Sequence, residues 1–254
     1  MLPTPRQDDI LALARANRRV TVDDLAARFG VTPQTIRKDL NDLCDARLLN
    51  RIHGGAVFPT SNENVQYEAR RAIAAAEKQE IGRAAASLIP DNSSLFINIG
   101  TTTEAVGEAL FDHRDLMVIT NNINVANRLR LSSGNEVVIA GGVVRHSDGG
   151  IVGEAAVDFI RQFKVDFAVI GVSALDEDGE LLDFDFREVK VAQAIISNAR
   201  HVILVSDSSK FERAAPVRIG HISQVHTFVT DRCPSERFRA ACADNDVRLI
   251  ETAF

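Results

Sequence analysis

The 254-residue sequence is poor in cysteine and has no long apolar run. Its three cysteines, Cys44, Cys233 and Cys242, form no CxxC pair. They can build neither a disulfide framework nor a cysteine zinc site, and they fit a reducing cytoplasm. No stretch approaches the roughly 18 apolar residues of a membrane span. The opening Met1-Leu2-Pro3-Thr4-Pro5-Arg6 lacks the basic-then-apolar layout of a signal peptide. The expected location is the cytoplasm, with no membrane partner. Catalytic signatures are equally scarce. No Gly-Lys dipeptide occurs, which excludes a Walker A loop, and no HExxH occurs. The six histidines (His53, His113, His146, His201, His221 and His226) are scattered without metal-ligand spacing. Gly171-Val172-Ser173-Ala174-Leu175 begins like a nucleophile elbow but lacks its final glycine. The expectation is therefore no metal, no cofactor and no catalytic nucleophile.

What is present suits a globular chain, with 45% hydrophobic and 25% charged residues. The length exceeds one average domain and falls short of two. The net charge of −6 is unevenly spread. Residues 1–58 carry nine Lys and Arg against seven Asp and Glu, whereas the other 196 carry 20 against 28. A mildly basic head on an acidic body directs attention to the head as the part that meets a polyanion.

In the head the pattern predicts three helices. Ile10, Leu13 and Ala14 share one face of a helix over 6–16. Thr21 caps a second helix carrying Leu25 and Phe29, and Gly30 ends it. Thr32-Pro33 opens a third that runs to about Ala46. Projected at about 100° per residue, Ile36, Leu40 and Leu43 form the core stripe. Gln34, Arg37, Lys38 and Asn41 take the opposite side, with Thr35 on a flank. Arg and Lys suit guanine, Gln and Asn suit adenine, and Thr suits phosphate or a thymine methyl. Gly54-Gly55 between apolar runs reads as a hairpin turn with positive φ at both glycines. The hairpin would be a wing, with Arg51 and His53 placed at DNA backbone or minor groove. A polar helix face alone is usually just solvated, and Asp39, Asp42 and Asp45 weaken the field. Two short helices, a capped third and a wing together favour a winged helix-turn-helix bound to double-stranded DNA.

Pro59 to Asn64 reads as a linker, and a helix from about Tyr67 to Leu88 leads into the body. The expected division is a DNA-binding domain over 1–58, a linker over 59–76, and an effector-binding and oligomerisation domain over 77–254. In the body β-rich runs at 95–99, 116–120, 136–140, 166–172, 202–206, 225–230 and 247–250 alternate with helical stretches. That pattern predicts an α/β domain with a largely parallel sheet. Polar and glycine clusters follow the strands, where such sheets keep ligands. Gly100, Thr101 and Thr102 open a helix as a local phosphate cradle. Asn121, Asn122, Gly141, Gly142, Asp148, Asp183 and Asp207 follow other strands, with Asp183 and Asp185 readable as helix caps instead. Lys210, one of five lysines, suits a phosphate point charge. The ligand class read here is a small phosphorylated polyol or sugar. An isomerase would need a carboxylate base such as Asp183, Asp185 or Asp207, whereas the fused DNA reader favours sensing over turnover.

Val31–Leu43 (VTPQTIRKDLNDL) followed by Arg51–Ala56 (RIHGGA) resembles the DeoR family of bacterial repressors. The body's GTT, TNN, AGG, DGG, LLDFD and DSSKF segments, in this order, resemble its effector domain. The resemblance implies a winged helix-turn-helix reading an operator through Thr32, Gly54 and the residues named above, with Asp39 orienting an arginine or capping backbone. It implies a body similar to ribose-5-phosphate isomerase and related sugar-phosphate enzyme folds, and a homo-oligomer, dimer or tetramer. TNNINVA (120–126), DGGIVGEA (148–155), DFIRQFKVD (158–166) and LLDFDFREV (181–189) point to the branch answering to glycerol-3-phosphate, another sugar phosphate being the alternative. Asn98, before the Gly100 loop, departs from the family, which typically has Asp there.

Overall fold

The computed structural model describes residues 4–17, 19–46, 48–52, 54–57 and 67–252, which fall into two compact units, Met1–Ile73 and Ala74–Phe254. Among the described residues no helix is long and apolar enough to cross a membrane.

The first unit contains α1 (Pro5–Asn17), β1 (Arg19–Thr21), α2 (Val22–Phe29), α3 (Pro33–Asp45), β2 (Asn50–Ile52), β3 (Gly55–Val57) and α4 (Tyr67–Ala72). Local chemistry sets the helix ends. Thr21 accepts the Asp24 N–H at 3.2 Å, and Gly30 closes α2 in the left-handed region with φ 61°. Thr32 caps α3 by accepting the Thr35 N–H at 3.2 Å. Ile10, Ala14, Leu25, Ile36, Leu40 and Leu43 pack one core, joined by Ala69 of α4. Three small strands pair antiparallel in the order β1-β3-β2. The sequence pattern predicts only the β2–β3 hairpin, because β1 is three residues long and gains its partner from 36 positions away.

The hairpin turn differs from its expectation. Ile52 pairs with Gly55, so Gly55 is already strand, and of the two glycines only Gly54 has positive φ, at 76°. Gly55 is required for another reason. A Cβ there would lie 2.1 Å from the Val20 carbonyl oxygen, so only glycine lets β1 approach.

The second unit contains α5 (Ala75–Ala86), β4 (Ser94–Ile97), α6 (Thr101–Ala109), β5 (Met117–Thr120), α7 (Ile123–Leu129), β6 (Glu136–Ile139), β7 (Val143–Val144), β8 (Ile151–Val152), α8 (Glu154–Ile160), β9 (Val165–Ile170), β10 (Ala174–Leu175), β11 (Glu180–Asp183), α9 (Phe186–Ser197), β12 (Ala199–Val205), β13 (Val217–His221), β14 (Thr227–Thr230), α10 (Glu236–Asp244) and β15 (Arg248–Glu251). Seven strands form one parallel sheet in the order β15-β14-β12-β9-β4-β5-β6. Side chains alternate across it. Leu95, Ile97 and Val169 join the core beneath α5, α6 and α7, while Phe96, Ala168 and Ile170 join the core beneath α8, α9 and α10. The result is three layers, α/β/α. The chain runs outward from β4 to β6, then returns to β9 on the other side of β4. That reversal puts a topological switch point between β4 and β9, where ligands of open α/β sheets bind.

The single helix expected over 67–88 is two. Ala74 adopts φ 53°, a left-handed conformation unfavourable for a residue with a Cβ, and breaks the run between α4 and α5. Of the linker expected over 59–76, residues 59–66 lie outside the described residues, 67–72 are helical, and the second compact unit starts at Ala74.

Candidate functional site

The first unit presents one polar helix face. Gln34, Arg37, Lys38 and Asn41 of α3 are exposed and Thr35 is half-buried, while Ile36 and Leu40 are fully buried on the other side. Asp39, which would oppose a polyanion, is turned inward. It is buried, and Arg6 of α1 grips it from two sides, Nε to Oδ2 at 2.7 Å and Nη2 to Oδ1 at 3.3 Å. Asp42 accepts from Gln7 at 3.3 Å. Two of the three aspartates that weaken the field of this helix are thus partnered by α1. Thr32 spends its hydroxyl on the cap and on Thr35, 2.9 Å away. Arg51 and Gly54 of the wing are exposed, and His53 lies outside the described residues.

The second unit gathers polar groups where its strands end. Asn98 continues the β4–β9 ladder by donating to the Val169 carbonyl at 3.0 Å. The Thr103 hydroxyl donates to the carbonyls of Asn98 and Gly100, both at 2.8 Å, which folds the Gly100 turn tightly under α6. Gly100 has φ 150° and no side chain caps this helix. Its first-turn N–H groups carry the positive end of the helix dipole.

Neighbouring loops close on that turn. A Cβ on Gly150 would lie 2.5 Å from Ile99, and one on Gly171 would lie 3.4 Å from Thr103. Asn121 ties the loop over β5 to β8, donating to the Ile151 carbonyl at 3.0 Å. The carboxamide oxygens of Asn98 and Asn121 are buried without a hydrogen-bond donor among the described residues. Two acceptors thus sit within the same cluster of strand ends, where a ligand hydroxyl could satisfy them.

One side of this cluster is acidic. Arg145 meets Asp148 at 2.6 Å, Asp185 at 3.3 Å and Glu188 at 2.6 Å, and it clasps the loop before β8 to the start of α9. Burial opposes the guanidinium's charge, but Asp148 and Glu188 outweigh it and raise the Arg145 pKa. Asp185 caps α9, and its bonds to Arg187 hold its pKa down at about 2. Glu188 is pushed up to about 8, by burial first and by the nearby Asp183 second. Asp183 accepts from Ser173 at 2.9 Å and from the Phe184 and Asp185 N–H groups at 2.6 and 3.2 Å.

The other side is basic. Asp207, after β12, is almost fully buried, bonds Ser209, and faces Lys78 of α5 at 3.9 Å. Lys78 and Lys210 are both buried. Burial alone would raise the Asp207 pKa, but the charges of Lys210 and Lys78 keep it below the usual value. β12 and β4 flank β9, so the two ends of the cluster are separated by about 10 Å at the usual strand spacing.

Residues 6–62 match the DeoR-like helix-turn-helix domain and residues 73–232 the DeoR C-terminal sensor domain. The chain belongs to the DeoR family. It is 45% identical to the glycerol-3-phosphate regulon repressor of Escherichia coli over 98% of this chain and 99% of that protein. It is 46% identical to the repressor of the same name from Haemophilus influenzae over 90% and 89%. Ribose 5-phosphate isomerase from Plasmodium falciparum is similar in fold over 54% of this chain and 52% of its own, at 15% identity and a TM-score of 0.39.

Within this DeoR-family chain, the strand-end residues read from the sequence divide into three groups. Gly100, Thr101, Thr102, Asn121, Asp148 and the Gly149-Gly150 turn come together around β4 and β5. Asp183 joins them from beyond β9 through Ser173, and Asp207 with Lys210 stands beyond β12. Asn122 has another task, capping α7 through the Asn124 and Val125 N–H groups. Gly142 is a packing requirement, since a Cβ there would lie 3.0 Å from Ile151, while Gly141 touches nothing within 4 Å. Arg145, Glu188 and Lys78 are absent from the sequence reading. Two of them had a signal. Lys78 falls on the buried stripe of Ile81 and Ala85, and Glu188 on that of Ala192 and Ile195, so a charge occupies an apolar position of each helix. Arg145 lies in a loop and carried none.

Proposed function

We propose that the chain is a DNA-binding transcriptional repressor of glycerol-3-phosphate genes, released from its operator when glycerol-3-phosphate binds the second unit. The observation that carries the first half is α3, whose Gln34, Arg37, Lys38 and Asn41 stand outward while Arg6 holds Asp39 inward. A helix so equipped fits the major groove, with Arg51, His53 and Gly54 at the backbone beside it. Phosphate contacts supply salt-sensitive affinity and the α3 side chains supply sequence preference.

The polarity of the strand-end cluster supports the second half. A three-carbon phosphate ester has a dianionic end and a hydroxyl end. The basic side at Lys210, with the N-terminus of α6 at Gly100, Thr101 and Thr102, suits the phosphoryl group. Asn121, Asp148 and Asp183 offer acceptors to the hydroxyls. Relatives that share almost the whole length bear the name of a glycerol-3-phosphate regulon repressor, which favours this ester over other sugar phosphates. The chain acts as a homo-oligomer, so that paired heads read repeated half-sites, and it does no catalysis on its ligand.

Coupling between ligand and DNA is typically about 1–3 kcal/mol, or roughly 5- to 150-fold in affinity. The test begins with DNA selected from a random pool by the purified chain, followed by fluorescence anisotropy with and without millimolar glycerol-3-phosphate. A drop in affinity within that range is expected. Unchanged binding at saturating ester would overturn the inducer assignment, and failure to enrich any sequence would overturn the repressor reading.

A further inference from the structure

Two neighbouring strands of the parallel sheet run out into the same residue type. Ile97 of β4 is in register with Thr120 of β5, so Asn98 and Asn121 are the next pair, one position beyond the ladder. The backbone keeps both in line. The Asn98 N–H donates to the Val169 carbonyl at 3.0 Å, and the Asn121 carbonyl accepts from the Ile151 N–H at 2.7 Å. Side chains alternate along a strand, so each asparagine shares a face with the residue two before it, Phe96 or Ile119. Both of those belong to the core beneath α8, α9 and α10. The two carboxamides therefore stand side by side on one face of the sheet, their Cα atoms about 5 Å apart. They are pinned to the start of α6, since the Thr103 hydroxyl in its first turn donates to the Asn98 carbonyl at 2.8 Å.

Neither carboxamide is fully used. Asn98 is 1% exposed and Asn121 0%, and the Oδ1 atom of each lacks a hydrogen-bond donor among the described residues. The Asn121 Nδ2 group donates to the Ile151 carbonyl at 3.0 Å, which fixes that amide and turns its oxygen the other way. The Gly150 segment lies across both strand ends: Gly150 bridges to Asn122, and a Cβ on it would lie 2.5 Å from Ile99. Bulk solvent is thereby kept from the two oxygens, and a donor arrives only with a group that enters beneath that segment. Buried polar groups are nearly always paired, so two acceptors side by side call for two donors side by side.

We propose that Asn98 is a specificity-determining residue of the effector site, accepting together with Asn121 from two adjacent hydroxyl groups of the ligand. The inference rests on the phosphate-ester reading given above and deepens it, naming a vicinal diol as what is read besides the phosphoryl group. Asn98 is a residue that reading does not contain. Carboxamide oxygens accept without carrying charge, so they read hydroxyls close to a dianion without repelling it. A methylene in place of either hydroxyl offers no donor, and a ketone sets an acceptor against an acceptor. Both leave a buried oxygen unpaired, which is how a polar site rejects an analogue.

Four esters test it by calorimetry on the full chain: glycerol-3-phosphate, the two propanediol monophosphates that each lack one of its free hydroxyls, and propyl phosphate, which lacks both. The native chain should lose about tenfold or more in affinity for each hydroxyl removed, the range of one buried acceptor left unpaired. Asn98→Leu should lose the preference for one hydroxyl and keep the preference for the other, and Asn121→Leu should do the converse. Asn98→Asp retains an acceptor and should retain both preferences. Equal binding of all four esters by the native chain would overturn the proposal, and that comparison needs no variant to fold. Full discrimination by Asn98→Leu would overturn it as well. If the native chain binds none of the four, the phosphate-ester reading itself fails and the diol inference falls with it.

Discussion

The two units carry their functional chemistry in opposite ways. In the first, every side chain proposed to read bases belongs to one helix and stands within eight positions of sequence, from Gln34 to Asn41. In the second, the groups proposed to meet a ligand come from several loops, and they span the chain from Asn98 to Lys210. A site on one exposed helix face needs only the helix to exist, and a periodic pattern is enough to find it. A site at the ends of parallel strands exists only once the crossovers have brought those ends together. Strength differs as well: the first face is solvated and neutral to stability, whereas the second depends on buried charges that must be partnered.

Neighbouring residues on α3 give the sharpest way to break this contrast. Ile36→Ala should cost about 2–5 kcal/mol, because the side chain is fully buried. Arg37→Ala, one position away, should change stability by no more than about 0.5 kcal/mol yet lower operator affinity by about 1–3 kcal/mol. Thermal unfolding and anisotropy on the same pair of variants measure both, and equal losses of stability would dissolve the distinction between core stripe and reading face.

A smaller effect is expected from the α5–α6 crossing. Gly82→Ala places a methyl group 2.6 Å from the Ala105 carbonyl, and separating the helices should cost about 1–3 kcal/mol. Gly134→Ala, whose nearest neighbour is 3.7 Å away, serves as the comparison and should leave the melting temperature almost unchanged. Similar melting of the two variants would show that the crossing is looser than its geometry.

The third effect is a slope rather than a level. Glu188 holds its proton up to about pH 8 in the folded chain, against 4.5 when unfolded. A raised pKa gives stability that is full below pH 4.5 and is lost as pH rises through 8. Melting temperature should therefore fall across that window, and Glu188→Gln should flatten the fall. Parallel pH profiles for the native chain and the variant would contradict the assignment.

Legibility in the sequence follows the same division. All seven strands of the parallel sheet read as β-rich runs: the five inner ones are largely buried on both faces and need nearly continuous apolar residues, while the edge strands β6 and β15 are partly exposed. β7, β8, β10, β11 and β13 escape notice, being short and paired with distant or irregular partners. The break at Ala74 is invisible because alanine-rich sequence on both sides favours helix, and only the tertiary structure imposes the left-handed turn. Glycine and hydroxyl clusters disclosed most strand ends. The charges among the strand ends were harder to read: Lys78 and Glu188 stand on the apolar stripes of their helices, a signal that marks burial without naming a role, and Arg145 lies in a loop and carries none.

Ala74 marks the seam between the two units. The first unit ends at Ile73 and α5 begins at Ala75, so the boundary is made by a residue held against its own conformational preference. Each core is complete on its own side of that residue, Ala69 and Ile73 packing before it and Ile81 and Ala85 after it.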